Sequence, residues 1–309
     1  MNAAEDRGEE EMFQGFEQSR IAVDGVGLNV RYAGEGPAVV LLHGYPQTHI
    51  IWRHIAPVLA GTHTVVVPDT RGYGDSDCPP SDPDHRNYSK RTMANDVVAL
   101  MHALGHDNFS VVSHDRGARV GYRLALDHPD RVDHYMSLDV VPTHEMWVST
   151  NKDAAMGSFH WMFLAQPAPQ PETMIGFDPD GWIEWLHKSW AAPDFTFEAH
   201  AMDEYKRAFR NPDVIRATCE DYRAGATCDD EDDATDFNAG RKIQCPITCL
   251  WGGARAKGGP KSKSPLDIWR KWGAHDVDGE GIGTSGHFLP EEAPDDVIRW
   301  ARSFLNGNG

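Results

Sequence analysis

Short apolar runs rich in β-branched residues alternate with helical segments along the first half of this 309-residue chain. Strands are predicted near 18–24 and 27–33, in P-A-V-V-L-L-H at 37–43, which reads as a buried strand, in T-V-V-V-P-D at 64–69, in F-S-V-V-S-H at 109–114 and in H-Y-M-S-L-D-V at 134–140. Helical periodicity occupies 50–60, 89–104 and 117–127. Because a strand, a helix and a second parallel strand form a right-handed crossover, this alternation predicts an α/β fold with a mostly parallel central sheet flanked by helices.

The alternation stops between residues 143 and 238, where Trp, Met, Phe and Pro are frequent and helices without strands are predicted. The strand pattern resumes in C-P-I-T-C-L-W-G-G at 245–253, and a last helix is predicted over 291–305. We therefore expect an acidic N-terminal tail over 1–17, a sheet domain over 18–142 and 239–309, and an inserted helical cap over 143–238. The acidic run D-D-E-D-D at 229–233 predicts a solvated loop.

The amino-acid composition argues against several classes of function. A net charge of -18 argues against nucleic acid and anionic membranes as partners, because no face can easily become basic enough to neutralise phosphates. No apolar stretch is long enough to cross a bilayer, and residues 1–17 lack the basic start and apolar run of a secretory signal. The five cysteines show no disulfide framework, which favours a reducing, cytoplasmic location. The Cys and His residues lack a metal-ligand spacing, so the sequence implies no metal or organic cofactor.

The turn S-H-D-R-G at 113–117 has the form of a nucleophile elbow with Asp115 in place of the usual serine. Such an elbow holds its side chain at the carboxyl end of a central strand, beside backbone N–H groups that favour negative charge. Taken alone, Asp115 is equally well explained as the N-cap of the following helix. The motif H-G-Y-P at 43–46 favours the nucleophile, because Tyr45 is then expected to supply an oxyanion-hole N–H.

His287 lies in S-G-H-F-L-P-E-E at 285–292, just before the last predicted helix, where the catalytic base is expected. Its orienting carboxylate is commonly found after the strand predicted at 245–253. That loop contains no acid before Asp267, whereas the end of the preceding sheet strand supplies Asp139. Asp139 is therefore the expected partner of His287.

An aspartate nucleophile indicates substitution at saturated carbon. A carboxylate is already ionised at neutral pH, and the ester that it forms can be hydrolysed by base-activated water, whereas an alkylated serine would be a stable ether. Dehalogenation and epoxide opening are the two main chemistries of this kind. Arg116 and Arg119 lie one helical turn apart and can point into one cleft, although positive charge at a helix N-terminus opposes the macrodipole. This placement suggests a clamp for a substrate carboxylate and favours an α-halo acid.

The chain resembles the haloacetate dehalogenases, including the fluoroacetate dehalogenases, of the α/β-hydrolase superfamily from about residue 18 to 305. The motifs that carry the resemblance are H-G-Y-P-Q-T-H, D-T-R-G-Y-G-D-S, H-D-R-G-A-R-V, F-H-W-M-F-L-A-Q-P-A-P, C-E-D-Y-R-A-G-A, W-R-K-W and S-G-H-F-L-P-E-E-A-P. The resemblance implies an α/β-hydrolase fold with a cap, and hydrolysis of haloacetates to glycolate and halide through an aspartyl ester. It also implies a homodimer.

The same resemblance implies a role for each candidate residue. Asp115 would be the nucleophile, His287 the base and Asp139 its partner, while Arg116 and Arg119 would bind the substrate carboxylate. The implied halide donors are His160, Trp161 and Tyr222, and Trp190 would wall the pocket with Tyr45.

Two alternatives remain open from the residues. An epoxide hydrolase would use the same ester chemistry with two cap tyrosines, for which Tyr205 and Tyr222 are candidates, but a neutral epoxide has no use for Arg116 and Arg119. The second alternative is a receptor with a hydrolase fold that binds a small acid without converting it. Such a receptor would not need the nucleophile and base, so the presence of Asp115, His287 and Asp139 argues against it.

Overall fold

The computed structural model describes residues 12–254 and 264–305. Within these ranges eight strands form one sheet, in the spatial order β1-β2-β4-β3-β5-β6-β7-β8. The strands are β1 (Glu17–Val23), β2 (Val26–Ala33), β3 (Ala38–Leu42), β4 (Thr64–Pro68), β5 (Phe109–His114), β6 (Val132–Leu138), β7 (Ile247–Gly252) and β8 (Val277–Ile282). β2 pairs antiparallel with β1 and β4, and the other neighbours pair in parallel. The predicted α/β fold with a mostly parallel sheet is confirmed.

Helices connect the strands and cover the sheet. Before β6 they are α1 (Ala56–Ala60), α2 (Lys90–Ala103) and α3 (Asp115–Asp127). Between β6 and β7 they are α4 (Thr143–Val148), α5 (Lys152–Gly157), α6 (Phe159–Leu164), α7 (Gln170–Phe177), α8 (Pro179–Trp190), α9 (Ala199–Phe209), α10 (Pro212–Ala226) and α11 (Cys228–Asn238). After β7 they are α12 (Pro265–Trp272), α13 (Leu289–Glu292) and α14 (Pro294–Leu305).

The central strands β3, β5 and β6 are largely buried because helices cover the parallel sheet, and β3 is a continuous apolar run. Every residue of β3 and β5 is buried. The carboxyl ends of these strands meet at one edge, where the loops after them carry Tyr45, Asp115 and Asp139. The fold therefore places the motif residues on a single edge of the sheet.

Two predictions of local structure are wrong. The continuous helix predicted over 50–60 is a 3-10 turn, His49–Trp52, followed by α1, because Pro57 at the start of α1 supplies no N–H to continue a preceding helix. The predicted solvated loop at 229–233 is the first half of α11, in which Asp229 and Asp233 are buried. Asp233 accepts a hydrogen bond from Arg123 of α3 at 2.9 Å, which explains how an acidic run can be buried.

The N-terminal segment joins the fold before residue 18. β1 begins at Glu17, and the Phe13 ring is buried with the Arg31 guanidinium 5.4 Å from its centroid. The rest of the predicted tail, residues 1–11, lies outside the described residues.

A membrane span would require a long apolar helix. Among the helices in the described ranges, none combines the length with the apolar character that a bilayer crossing needs.

Candidate active site

Asp115 occupies a tight turn between β5 and α3. Its φ of +47° lies in the left-handed region, which is costly for any residue with a Cβ. The neighbouring backbone approaches so closely that a Cβ on Gly117 would lie 2.2 Å from the His43 carbonyl oxygen. α3 begins at Asp115 itself and His114 occupies the cap position, so Asp115 is not the N-cap. Its carboxylate is instead directed to the carboxyl edge of the sheet.

The two carboxylate oxygens of Asp115 have different environments. Oδ1 accepts a hydrogen bond from the Tyr45 backbone N–H at 2.8 Å, and Oδ2 lies 3.8 Å from His287 Nε2. Burial acts to raise the pKa of Asp115, but the nearby charges of His287, Arg116 and Arg119 outweigh it and hold that pKa below its ordinary value. The side chain is therefore an ionised carboxylate with one oxygen held and the other available.

His287 faces Asp115 through one ring nitrogen and Asp139 through the other. Nδ1 donates to Asp139 Oδ2 at 2.5 Å, and Asp139 Oδ1 accepts from the Gly252 N–H at 2.9 Å. His287 Nε2 is buried and has no hydrogen-bond partner among the described residues. With Nδ1 as the donor to Asp139, Nε2 is the ring nitrogen directed toward the space above Asp115, where a general base has to lie.

The loop that carries His287 is fixed by its main chain. The His287 N–H donates to the Trp190 carbonyl at 2.8 Å, and the His287 carbonyl accepts from His114 Nε2 at 2.8 Å. The Glu292 carboxylate accepts from the N–H groups of Gly286 and Phe288, on either side of the histidine. Glu292 was not singled out from the sequence, although it stands in the quoted motif around His287.

The two arginines have different partners. Arg119 Nη1 donates to the Val141 carbonyl at 2.9 Å and to Thr143 Oγ1 at 3.1 Å, and across the described ranges no carboxylate lies within 4.0 Å of its guanidinium. Arg116 instead forms a buried ion pair with Asp221 at 2.7 Å. Arg119 lines the cavity beside Asp115, whereas Arg116 lies behind it.

A cavity of about 230 Å³ opens above the nucleophile. It is lined by Asp115, Arg119, Asp139, Val140, Val141, Met146, Ser158, His160, Trp161, Trp190, Trp251, Pro265 and His287. Six of them, Val140, Val141, Met146, Ser158, Trp251 and Pro265, were not identified from the sequence, because nothing in their local pattern distinguishes a cavity wall from core.

The three residues implied as halide donors lie together. His160 and Trp161 line the cavity, and the Tyr222 ring packs behind them at 5.7 and 5.4 Å between ring centroids. The Tyr222 hydroxyl is buried without a hydrogen-bond partner in the described part of the chain. Trp190 stacks near His160 at 4.4 Å and completes the wall. The Tyr45 ring is buried outside the cavity, and its hydroxyl accepts from the Trp182 indole at 2.6 Å.

Tyr205, the other cap tyrosine considered for an epoxide hydrolase, does not lie at the cavity. Its hydroxyl is buried and donates to Glu291, whose other oxygen accepts from Arg53. The phenol therefore contributes to the contact between α9 and α13 and does not line the cavity.

The fold and the edge that carries Asp115, His287 and Asp139 define an α/β hydrolase. Residues 37–294 match the family model described as the alpha/beta hydrolase fold, and the chain belongs to that family. It is 41% identical to a fluoroacetate dehalogenase from Burkholderia sp, over 96% of this chain and 95% of the relative. The resemblance to this family of dehalogenases is thereby confirmed.

Two further relatives cover nearly the same length. A soluble epoxide hydrolase from Corynebacterium sp. (strain C12) is 32% identical over 92% of this chain and 95% of its own. A protein from Nostoc sp PCC 7120, whose crystal structure is described as an alpha/beta hydrolase, superposes with a TM-score of 0.90 at 47% identity, covering 96% of this chain and 99% of that one. The two named enzymes are both hydrolases but differ in substrate. The substrate of this chain therefore has to be inferred from the residues of its site.

Proposed function

We propose that this hydrolase is a haloacetate dehalogenase, which converts chloro-, bromo- and fluoroacetate to glycolate and halide. The observation that carries the proposal is Arg119, a buried cation at the cavity wall whose hydrogen bonds within the described residues go to neutral acceptors. A buried charge without a counter-ion is costly, so the carboxylate of a small acid is the ligand that best complements it. The 41% identity to a fluoroacetate dehalogenase supports the same assignment.

In the first step, Asp115 Oδ2 attacks the carbon that carries the halogen. The carbon–halogen bond breaks as the new carbon–oxygen bond forms, and the halide departs toward His160, Trp161 and Tyr222 with the bonding electron pair. The Arg119 guanidinium, with Arg116 behind it, holds the substrate carboxylate, which would otherwise be repelled by Asp115. The product of this step is an ester between Asp115 and the acid.

In the second step, His287 Nε2 takes a proton from a water molecule, which attacks the carboxyl carbon of Asp115. The negative charge develops on Oδ1, which already accepts the Tyr45 N–H at 2.8 Å. The imidazolium that forms is stabilised by Asp139 through Nδ1. Collapse of the intermediate breaks the bond between the Asp115 carboxyl carbon and Oδ2, and Oδ2 leaves as the hydroxyl oxygen of glycolate after taking the proton from His287. The remaining proton of the attacking water passes to solvent, which regenerates the Asp115 carboxylate.

The helices between β6 and β7 supply the halide side of the cavity, since His160, Trp161 and Trp190 all belong to α6 and α8. We propose that residues 143–238 act as a cap of the sheet domain. Closing the site from water in this way strengthens the electrostatic contacts inside it.

The epoxide hydrolase alternative is supported by the 32% identical relative. It would need two hydroxyl donors at the cavity. Of the two candidate tyrosines, Tyr205 donates its hydroxyl to Glu291 away from the cavity, which leaves Tyr222 alone beside His160 and Trp161. These contacts favour the haloacid over the epoxide.

The experiment that tests the proposal measures halide release from fluoroacetate, chloroacetate and bromoacetate, each with the purified protein and with Asp115→Ala. We expect equal amounts of halide and glycolate from the wild type and none from the variant. Styrene oxide serves as the rival substrate, and a diol formed from it without halide release from any acid would reassign the enzyme as an epoxide hydrolase. Binding of a haloacid without any turnover would favour the alternative that the protein is a receptor for a small acid.

A further inference from the structure

Asp221 is a buried carboxylate beside the site that the mechanism above does not use. It is fully buried in α10, immediately before Tyr222, and it faces Arg116 of α3. Arg116 Nε donates to Asp221 Oδ2 at 3.0 Å, and Arg116 Nη2 donates to Oδ1 at 2.7 Å and to the Asp221 carbonyl at 2.6 Å. This two-pronged contact fixes the plane of the guanidinium as well as its position.

Two more donors complete the environment of Asp221. The Tyr73 hydroxyl donates to Oδ2 at 2.7 Å, and Lys90 Nζ of α2 donates to Oδ1. Burial acts to raise the pKa of Asp221, but Arg116 and Lys90 outweigh it and hold that pKa well below its usual range. Asp221 is therefore a permanent anion that joins α10 to both α2 and α3.

The same contact orients groups on both sides of the cavity. The Arg116 guanidinium stacks over the Tyr222 ring at 4.3 Å and lies 5.0 Å from the Trp161 ring, over which Arg119 also lies at 4.5 Å. Arg116 Nη1 and Arg119 Nε are buried and have no hydrogen-bond partner in the described ranges. Holding Arg116 by Nε and Nη2 leaves Nη1 as the nitrogen without a hydrogen-bond partner, on a guanidinium that lies behind the cavity wall against the Tyr222 ring.

We propose that Asp221 is a positioning residue that couples the carboxylate site to the halide site. By holding Arg116 from one side it directs Nη1 toward the substrate carboxylate, and by anchoring this turn of α10 to the core it sets the Tyr222 hydroxyl against the departing halide. The inference rests on the proposed function and deepens it, because one residue then governs both the affinity for the acid and the discrimination among halides.

The variants that test this role must keep the buried charge balanced. Asp221→Asn alone leaves Lys90 and Arg116 side by side, so Asp221→Asn/Lys90→Met is the variant of choice. Tyr73→Phe removes a single hydrogen bond to Asp221 without changing any charge. The matched control is Asp236→Asn, which removes a buried carboxylate of α11 that pairs with Arg123 of α3 at 2.5 Å, away from the cavity wall.

We expect the double variant to raise the KM for chloroacetate about tenfold or more, since a hydrogen bond to a charged group is worth about 1.5–3 kcal/mol. We also expect the ratio of kcat/KM for fluoroacetate to that for bromoacetate to fall about tenfold, because fluoride departs only with strong hydrogen bonding. Tyr73→Phe should shift both quantities in the same direction by about twofold to fivefold. The control should leave both unchanged.

A folded double variant whose KM and halide ratio match the wild type would overturn the inference, as would an equal loss of kcat on every halide with KM unchanged. An inactive wild type would instead overturn the proposed function itself. The two failures are therefore distinguished by the wild-type rate alone.

Discussion

Arg119 shows how a single side chain can select a substrate class. Burial lowers the pKa of Arg119, and its guanidinium donates hydrogen bonds to a carbonyl and a hydroxyl. A small anion beside this guanidinium recovers much of the solvation free energy that burial removed. A neutral haloalkane offers no such compensation, so the residue is expected to separate haloacids from uncharged halides.

Replacing Arg119 with leucine should lower kcat/KM for chloroacetate by about a hundredfold, the cost of losing a buried charged pair. Chloroacetamide, a neutral substrate of similar size, should lose far less. Steady-state halide release with both substrates checks this, and Arg119→Lys, which keeps the charge without the planar fork, should fall between. Equal losses on the two substrates would remove the argument for a carboxylate clamp.

The candidate site could be predicted in part, because motif spacing indicates which residues follow which strand. Tyr45, Asp115 and Asp139 lie at the carboxyl ends of β3, β5 and β6, and their roles remain predictions. Asp221 could not be predicted, because its contact with Arg116 joins residues 105 positions apart and leaves no local pattern.

The junction of β5 and α3 depends on close backbone packing. The first turn of α3 rests against the end of β3, where a Cβ on Gly117 would come within 2.2 Å of the His43 carbonyl oxygen. Neither partner is a flexible side chain, so the junction cannot relax locally. This contact holds the left-handed turn at Asp115.

Gly117→Ala should therefore destabilise the fold by about 1–3 kcal/mol or more, as expected for overpacking a rigid core. Gly157→Ala is the matched control, since its Cβ would meet nothing within 4 Å at the end of α5 and should be neutral or slightly stabilising. Urea unfolding followed by circular dichroism measures both. Similar midpoints for the two variants would contradict a packed elbow.

The strands and helices differ in how far they could be predicted. A continuous apolar run identifies β3, and Phe109, Val111 and Val112 identify β5, because parallel strands are buried on both faces. β8 was not assigned a range, since V-D-G-E-G-I carries little apolar signal and pairs only with β7. The sequence predicts a loop at 229–233, in the first half of α11, because the burial of these acids depends on Arg123, more than a hundred positions away.

Several buried histidines make the free energy of unfolding of the whole chain depend on pH. Burial lowers the pKa of His114 and His134 to about 4 and that of His187 to about 3. An unfolded histidine takes a proton near its ordinary value of 6.5, so below that pH the unfolded chain binds more protons than the folded one. Burial raises the pKa of Asp229 to about 6 and also raises the pKa values of Asp96, Asp133 and Asp233, which acts in the opposite direction.

We therefore expect the free energy of unfolding to decrease as the pH falls from about 7 to about 5, by on the order of 1–2 kcal/mol for each fully buried histidine before the offset from these aspartates. His187→Phe should reduce this dependence, because a phenyl ring keeps the stacking on Tyr205 and Phe288 and does not titrate. Thermal unfolding across this pH range tests it. Stability that is constant or rises toward pH 5 would be inconsistent with neutral buried histidines.

The surface of the helices between β6 and β7 carries exposed apolar side chains. Phe177 is 93% exposed, Met156 73% and Met174 58%. Exposed apolar residues of this size are typical of protein interfaces. The homodimer implied by the resemblance remains a prediction, and this surface is where we expect the second copy.

Light scattering coupled to size-exclusion chromatography should give twice the chain mass of 34.4 kDa. Phe177→Glu should shift the protein toward the monomer without unfolding it, because the side chain packs little within its own chain. A dimer that is unchanged by Phe177→Glu would place the contact between the two copies on another surface. A monomeric wild type would exclude the homodimer.

The covalent role of Asp115 is tested most directly by trapping its ester. His287→Asn removes the base that activates water but leaves Asp115 Oδ1 bound to the Tyr45 N–H and Oδ2 available, so alkylation should proceed and hydrolysis should stop. Incubation with chloroacetate followed by intact-mass and peptide analysis should show a stable carboxymethyl adduct on Asp115, with one chloride released per chain. A folded variant that releases no chloride and carries no adduct would contradict nucleophilic attack by Asp115.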